Sequence, residues 1–346
     1  MITLKPAEAR KRMIAHLGLN KPLGRGAAGT RKVLERLRCI QLDPLDVIGT
    51  NSDLVVMART SGVKRGDLWR HLFPRHAFEH FFKERCILPA GSFLHYREHG
   101  HQAETPWWRH REREQRVPRK LVDAVLSEIR EHGPVSARDL TDHGTVVPID
   151  WSGWMGTKKT TSMAVEILWT RCEIVIAGRN ESGAKLYDIP ERALGAIASV
   201  QSHEDFERWL LRERVRASGL LARAKPANDP ELLEVTIEGS SRRYLATPEF
   251  LAPRTVRYDD RIRILGPLDP LLWDRSLVRI AFDFDYVWEV YKPASQRKWG
   301  WYVVPVLFRD RLIGRIDAQT HKIWLEGTAD RKLVRRAFDE VLSAGS

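Results

Sequence analysis

Apolar residues change their spacing along this chain, from a helical period to a strand period. Before residue 254 they recur every three or four positions, which is typical of helices with one buried face. The predicted helices span residues 5–17, 30–38, 53–59, 121–129 and 160–171, and residues 65–100 also look helical. After residue 254 apolar and polar residues alternate, and the predicted strands span residues 256–264, 278–284, 288–292, 301–308, 312–316 and 322–325. With a last helix at 331–342, the sequence predicts an α+β fold that ends in a small barrel or curled sheet.

Residues 117–190 form the clearest module of the sequence. The first helix breaks at Gly133-Pro134, a capping box at Ser136 predicts a short second helix, and a third helix precedes a hairpin around residues 180–183. Three helices followed by a two-stranded wing is the order of a winged-helix unit. Related patterns occur on both sides, so we predict tandem winged-helix units at residues 1–115, 116–195 and 196–253 and a C-terminal β domain at 254–346. Such units either bind DNA or serve as protein-interaction scaffolds.

The charge of the chain indicates a polyanionic partner. Lys and Arg number 57 against 45 Asp and Glu, a net charge of +12, and basic globular proteins of this size often bind nucleic acid. The alternative is a charge that serves only solubility. Candidate DNA-binding residues lie before the third helix, on the hairpin, and in a stretch that also holds Trp107 and Trp108: Lys158, Lys159, Arg179, Lys185, Arg109 and Arg111.

Cysteines and apolar runs limit where the protein works. Cys39, Cys86 and Cys172 are few and far apart, which indicates a reducing compartment without a disulfide framework or a cysteine zinc site. His76 and His80 are four residues apart, but no third ligand follows at a recognisable spacing, so no metal site is predicted. The chain has no secretory signal pattern and no run of 18 apolar residues, so we expect a soluble protein without a membrane partner.

The candidate chemistry lies at Gln41-Leu42-Asp43. If this stretch is extended, Ile40 and Leu42 point one way while Gln41 and Asp43 point the other. An amide and a carboxylate side by side can hold and polarise one water molecule. Taken alone the pattern is a weak signal, because a short strand with a solvated polar face would have the same sequence.

An ordered series of motifs adds to this pattern. The sequence Leu-Arg-Cys-Ile-Gln-Leu-Asp stands at residues 37–43, and Leu-Gly-Pro-Leu-Asp-Pro-Leu-Leu-Trp-Asp-Arg stands at 265–275. Further matches lie at residues 154–192, 284–286, 289–293, 297–302, 305–307 and 314–317. Together they resemble the winged-helix DNA glycosylases of the YcaQ/AlkZ type, which excise alkylated bases and unhook interstrand crosslinks.

The resemblance implies a fold, a substrate class and two catalytic residues. The family has three tandem winged-helix units and a C-terminal β domain in a C shape around DNA. Gln41 and Asp43 match its Gln-apolar-Asp active-site motif, the form of the YcaQ-like branch. The Gln-apolar-Gln branch is associated with resistance to a natural product, so Asp43 indicates broader alkylation repair. The expected protein is a monomeric bacterial cytoplasmic enzyme that acts on double-stranded DNA with alkylated or crosslinked guanine, without a cofactor or metal.

Two other functions remain open at this point. A non-catalytic winged-helix DNA-binding regulator would need neither Gln41 nor Asp43. A nuclease would need clustered carboxylates for Mg²⁺. The candidates for such a cluster are scattered through the predicted β domain: Asp269, Asp274, Asp283, Asp285 and Asp317.

Overall fold

The computed structural model describes residues 2–106, 108–149, 156–223 and 227–344. Its α-helices α1–α13 are Pro6–His16, Gly26–Leu37, Asn51–Met57, Asp67–Leu72, Phe93–Tyr96, Trp108–Arg116, Arg119–His132, Thr160–Thr170, Pro190–Leu194, Phe206–Ser218, Pro248–Leu251, Arg275–Phe282 and Arg331–Ser343. Its strands β1–β16 are Ile2–Leu4, Ile40–Gln41, Ala77–Phe81, Arg85–Pro89, Val135–Ser136, Thr145–Val146, Lys158–Lys159, Val175–Arg179, Lys185–Asp188, Leu221–Ala222, Leu233–Ile237, Arg243–Ala246, Ile262–Ile264, Val303–Phe308, Arg311–Asp317 and Ile323–Leu325. The fold is a mixed α+β fold, as predicted.

The chain forms two compact units. The first contains Met1–His71 and Leu210–Ser346, and the second contains Leu72–Trp209. These units are larger than the four predicted segments, whose boundaries stay predictions. No helix in the described part of the chain is both long enough and apolar enough to cross a membrane.

The first unit contains a four-stranded sheet that joins distant parts of the chain. Its strand order is β1-β11-β12-β10, with β1 parallel to β11 and the other pairs antiparallel. Leu4, Val235 and Ile237 are buried, so apolar side chains of both parallel strands contribute to the core. The amino-terminal strand therefore pairs with residues more than 200 positions away, which no local pattern indicated.

The C-terminal sheet is open, so the predicted barrel is wrong. The strand order is β13-β14-β15-β16, and each neighbouring pair is antiparallel. The two outer strands, β13 and β16, do not pair with each other. Helix α13, which confirms the predicted last helix, packs on this sheet through Val334 and Phe338, in one apolar cluster with Val304, Val306 and Ile316. The helix covers the apolar face of the sheet, so closure into a barrel is not needed to bury it.

The predicted strands at 278–284 and 288–292 are also wrong. The first lies in helix α12, whose start is capped by Asp274, because its Oδ1 accepts the Leu277 N–H at 3.0 Å. The residues that looked like alternating strand positions include Val278 and Phe282, which are four apart and buried on one helical face. The second lies in an irregular loop.

The second unit contains the module recognised at 117–190. Helices α7 and α8 and the hairpin β8–β9 confirm the predicted elements, and β5 adds a third strand in the order β5-β9-β8. The short helix predicted from Ser136 is wrong. Its capping-box residues instead close a turn, in which the Ser136 hydroxyl donates to the Asp139 carboxylate at 2.7 Å.

The helical prediction for residues 65–100 fails at residues 77–89, whereas α4 and α5 lie within its range. Strands β3 and β4 form an antiparallel hairpin there, with His80 opposite Cys86. His76 precedes the hairpin and His80 lies within it, so they do not share a helical face. His80 is buried, stacks on Trp169 at 4.9 Å between ring centroids, and burial lowers its pKa to about 3.

Candidate active site

The Gln41–Asp43 stretch follows a sharp chain reversal at the end of α2. Arg38 adopts a left-handed conformation with φ of 62° and donates its N–H to the Leu34 carbonyl, which ends the helix. The Arg38 guanidinium also donates to the buried Glu213 carboxylate, with 2.6 Å between Nε and Oε2. The reversal places Ile40 in the core, and Gln41 is only 7% exposed. Gln41 therefore does not lie on a solvated strand face.

The backbone at Gln41 is held by Asn51, the first residue of α3. Asn51 donates its amide to the Gln41 carbonyl at 2.9 Å, and its Oδ1 accepts the Leu268 N–H at 2.9 Å. A Cβ at Gly266 would lie 2.5 Å from Asn51 Oδ1. The turn after β13 can thus approach Asn51 because residue 266 is glycine, and this turn fixes the position of Gln41 indirectly.

A buried ion pair connects the same turn to the segment that directly follows α3. Arg59 and Asp269 both have fully buried side chains and form two parallel hydrogen bonds of 2.6 and 2.8 Å. Arg59 also donates to the carbonyls of Leu17 and Val55. Such a fork geometry satisfies nearly all the donors of a buried guanidinium. Sequence reasoning missed Arg59 altogether and gave Asp269 only a possible metal-binding role.

Asp43 is half-buried, and one of its oxygens is anchored. Its Oδ1 accepts the Leu45 N–H at 2.9 Å, while within the described residues its Oδ2 accepts no hydrogen bond. Burial raises the pKa of Asp43, and the hydrogen bond from Leu45 opposes that shift. The next carboxylate, Asp46, accepts the Gly49 N–H and pairs with Arg65. Asp43 is therefore the carboxylate of this segment that retains an oxygen for another group.

Four buried polar atoms of this unit have no hydrogen-bond partner among the described residues. They are Oε1 of Gln41, Nε1 of Trp288 and the hydroxyls of Tyr302 and Tyr258. Burial raises the pKa of Tyr302, and the carboxylates of Asp43 and Asp46 raise it further, so the hydroxyl is a neutral donor near these acids. A buried polar atom without a partner costs free energy, which favours a role in binding water or substrate.

One apolar cluster joins Tyr302 and Trp288 to the segment that follows Asp43. Leu45 and Val47, which follow Asp43, pack against the cluster that contains Tyr302. Tyr302 directly precedes β14, and Trp288 also packs against this cluster. The rings of Trp288 and Tyr302 meet edge to face with centroids 6.2 Å apart. Nothing in the sequence singled out Tyr302, although it lies in the motif at residues 297–302.

The lysines predicted to contact DNA are paired with acids in the second unit. Lys158 lies 2.7 Å from Glu166, which also binds Arg113, and Lys159 lies 3.1 Å from Asp142. Lys159 is 61% exposed, so its ion pair is a solvent-screened one. Lys158 is less exposed, and its partner Glu166 is shared with a buried arginine.

The two predicted residues of the hairpin share one buried carboxylate. Arg179 pairs with Glu79, and Lys185 lies 4.0 Å from the other oxygen of the same residue. Burial lowers the pKa of Lys185 to about 8, although Glu79 acts in the opposite direction. The structure therefore brings Arg179 and Lys185 together around an internal acid.

Arg109 and Arg111 lie on α6. The Arg109 guanidinium lies 5.9 Å from the ring of Trp108, whereas Trp107 falls outside the described residues. Arg111 lines a cavity of about 880 Å³. His110 and Glu114 also line it, 2.9 Å apart.

Four of the five carboxylates of the nuclease alternative have a structural partner, and the fifth, Asp283, lies at a helix end. Asp269 binds Arg59, Asp274 caps α12, Asp283 ends α12 in a left-handed conformation, Asp285 pairs with Arg279, and Asp317 accepts the Thr320 hydroxyl. In the described ranges, no group of three or more His, Cys, Asp or Glu side chains is placed to hold a metal ion.

Comparison with known proteins gives a matching family and similar solved structures. A family model described as DNA glycosylase AlkZ-like matches residues 34–346. The Streptomyces sahachiroi DNA glycosylase AlkZ has a similar structure, with a TM-score of 0.60 and 16% sequence identity over 100% of this chain and 98% of that one. The structural similarity concerns the fold, and the family match includes Gln41 and Asp43.

Proposed function

Because the chain belongs to the AlkZ-like family of DNA glycosylases, we propose that it hydrolyses the N-glycosidic bond of cationic N7-alkylated purines and unhooks interstrand crosslinks. The observation that carries this proposal is the half-buried Asp43 carboxylate, which keeps an oxygen without a hydrogen bond among the described residues beside the unpartnered Oε1 of Gln41. As a member of this family the protein is an enzyme that acts on DNA, so a purely regulatory role is set aside.

The reaction needs little help with the leaving group. Guanine alkylated at N7 carries a positive charge and leaves as a neutral base, while the sugar becomes an oxocarbenium-like cation, as in glycoside hydrolysis. The Asp43 carboxylate stabilises that cation and accepts a proton from the attacking water. Gln41 orients this water through its amide.

Tyr302 supplies a second hydrogen-bond donor beside the amide of Gln41. Its hydroxyl is buried, neutral and subject to the charge of Asp43. We assign it to hold the same water, by donating a hydrogen bond to the oxygen that attacks the sugar. Because its pKa is raised, the hydroxyl is a poor acid and unsuited to protonating a neutral base.

The finer features of the proposal follow from the family resemblance. We place three tandem winged-helix units at 1–115, 116–195 and 196–253 before the C-terminal β domain, and the helix–strand–helix–hairpin order of α7, β5, α8 and β8–β9 supports the second of them. A monomer in the bacterial cytoplasm with double-stranded DNA as its partner fits a repair enzyme of this kind.

A comparison of leaving groups tests the proposal. Single-turnover excision is measured on matched duplexes that carry N7-methylguanine, an N7-linked mustard crosslink, uracil or 8-oxoguanine, with heat or alkali to reveal abasic sites. The cationic adducts should be released and the neutral bases retained, and EDTA should change neither result. Excision of uracil as fast as N7-methylguanine would show that a protonating group operates, and the proposed mechanism would be wrong.

A further inference from the structure

Tyr291 is the most exposed large hydrophobic side chain among the described residues, at 85%. A single exposed apolar side chain is common and needs no function by itself. What distinguishes Tyr291 is the construction of the loop that presents it, which spans residues 289–299.

The loop is closed by one buried carboxylate. Glu289 is 1% exposed, and its Oε1 accepts both the Lys292 ammonium at 2.8 Å and the Lys298 N–H at 3.1 Å. Its Oε2 accepts the Trp299 N–H at 2.8 Å, and Arg297 donates from Nε to the Lys292 carbonyl at 2.8 Å. Both ends of the loop are thus fastened to each other, so Tyr291 projects from a pre-organised segment.

The outer face of this loop is basic. Residues 289–299 contain a single acid, the buried Glu289, whose charge is matched by the Lys292 ammonium. Arg297 and Lys298 are therefore the cations that remain for a ligand. The Lys298 ammonium lies 4.8 Å from the centre of the Trp299 ring. An exposed aromatic ring among cations is the combination that binds bases by stacking and phosphates by charge.

The exposed ring is linked to the candidate active site by two aromatic contacts. Tyr291 packs edge to face against Trp288 with centroids 5.7 Å apart, and Trp288 packs in the same manner against Tyr302 at 6.2 Å. Tyr302 is the residue whose hydroxyl is influenced by Asp43. All four residues lie in the first compact unit.

We infer that Tyr291 stacks on a base of the DNA next to the damaged nucleotide, with Arg297 and Lys298 on the adjacent phosphates. This rests on the assignment of Gln41 and Asp43 as the reacting site. Stacking suits every base because each has a π-face, so this contact positions the lesion without demanding a sequence. Tyr291 is a binding residue, and it takes no part in bond breaking.

The test separates this role from catalysis. Duplexes carry N7-methylguanine with 2-aminopurine beside it, and fluorescence is followed on binding to Asp43→Asn protein, which should leave the substrate intact. Adding Tyr291→Ala should abolish the fluorescence change, whereas adding Tyr291→Phe, which keeps the ring, should preserve it. In protein that keeps Asp43, Tyr291→Ala should slow single-turnover excision about tenfold or more. Tyr291→Phe should slow it by less than about twofold.

Leu333→Ala is the matched control, because Leu333 is another exposed apolar side chain and lies on α13. It should leave both readings unchanged. A Tyr291→Ala protein with the full fluorescence change and the natural excision rate would overturn the inference. If Asp43→Asn excises normally, the catalytic assignment fails instead, and that result is visible separately from the effect of Tyr291.

Discussion

The two regions that the sequence singled out treat their polar side chains in opposite ways. Around Gln41 and Asp43, buried polar atoms have no hydrogen-bond partner among the described residues, including the hydroxyl of Tyr302. On the hairpin and before α8, by contrast, Arg179 and Lys158 are paired with Glu79 and Glu166. Unsatisfied buried groups lower stability and persist where a bound group completes them. Basic residues in this sequence are therefore weak evidence for a DNA-binding surface. The unsatisfied buried atoms are stronger evidence for a reacting site.

Of the changes proposed here, replacement of Asp43 should have the largest effect on the excision rate. Asp43→Asn keeps the shape and removes the charge, so single-turnover excision of N7-methylguanine should fall about 10²- to 10⁴-fold. Affinity for the same duplex should change little. Gln41→Ala should be impaired less, because Asp43 alone still holds the water. Near-normal excision by Asp43→Asn would remove the catalytic assignment.

The dependence of the excision rate on acidic pH should report the protonation of Asp43. Burial raises the pKa of Asp43, and the ionised form is the active one. Excision should therefore be lost as pH falls through a value above the ordinary aspartate pKa of about 3.9.

The same shift affects stability. Because the pKa of Asp43 is higher in the folded than in the unfolded protein, the ionised carboxylate lowers the stability of the fold at neutral pH. Asp43→Asn should then have a Tm at pH 7 no lower than the natural chain.

The buried Arg59–Asp269 pair should contribute strongly to the free energy of unfolding. Asp269→Asn leaves the fully buried Arg59 guanidinium without its counter-charge, which should lower the free energy of unfolding by about 3–5 kcal/mol. Urea denaturation followed by tryptophan fluorescence measures this. Asp285→Asn is the control, because it breaks an exposed pair with Arg279 and should have little effect. Equal midpoints for the two variants would contradict a scaffolding role for Asp269.

A comparison of two tyrosines tests whether an unsatisfied hydroxyl and a satisfied one have different roles. The Tyr286 hydroxyl donates to the Val303 carbonyl at 2.9 Å, whereas the Tyr302 hydroxyl has no partner in the described part of the chain. Tyr302→Phe should retain stability and slow excision about tenfold, the value of one hydrogen bond. Tyr286→Phe should lose about 1 kcal/mol of stability and retain the excision rate. The reverse assignment of these two effects would show that Tyr302 does not act on the water.

The smallest effect should come from the lysines before α8. If Lys159 contacts phosphate, Lys159→Ala should reduce the slope of log affinity against log salt by about 0.9. Lys158→Ala should reduce it less, since Glu166 already neutralises Lys158. Asp142→Asn, which releases Lys159, should strengthen binding at low salt. Unchanged slopes for all three variants would exclude this strand from the DNA interface.

The sequence alone determined the elements whose stabilising pattern is local. Helices α1, α7, α8 and α13 follow from apolar residues at helical spacing, and hairpin β8–β9 follows from its turn residues. The extended piece at Ile40–Gln41 and the pair Gln41 and Asp43 were also visible in the sequence, because the proposed active-site motif is contiguous. What the motif could not reveal is that Gln41 is buried.

Only the tertiary structure decided what depends on residues far apart in the chain. Residues 278–282 have a pattern compatible with either a strand or a helix, and the Asp274 cap with packing of α12 on α1 selected the helix. The parallel pairing of β1 with β11, the Arg59–Asp269 pair and the placement of Tyr302 near Asp43 each join segments about 200 residues or more apart. Local periodicity carries no information about such contacts, since they arise when the core is assembled and each buried charge or polar group is matched with its partner.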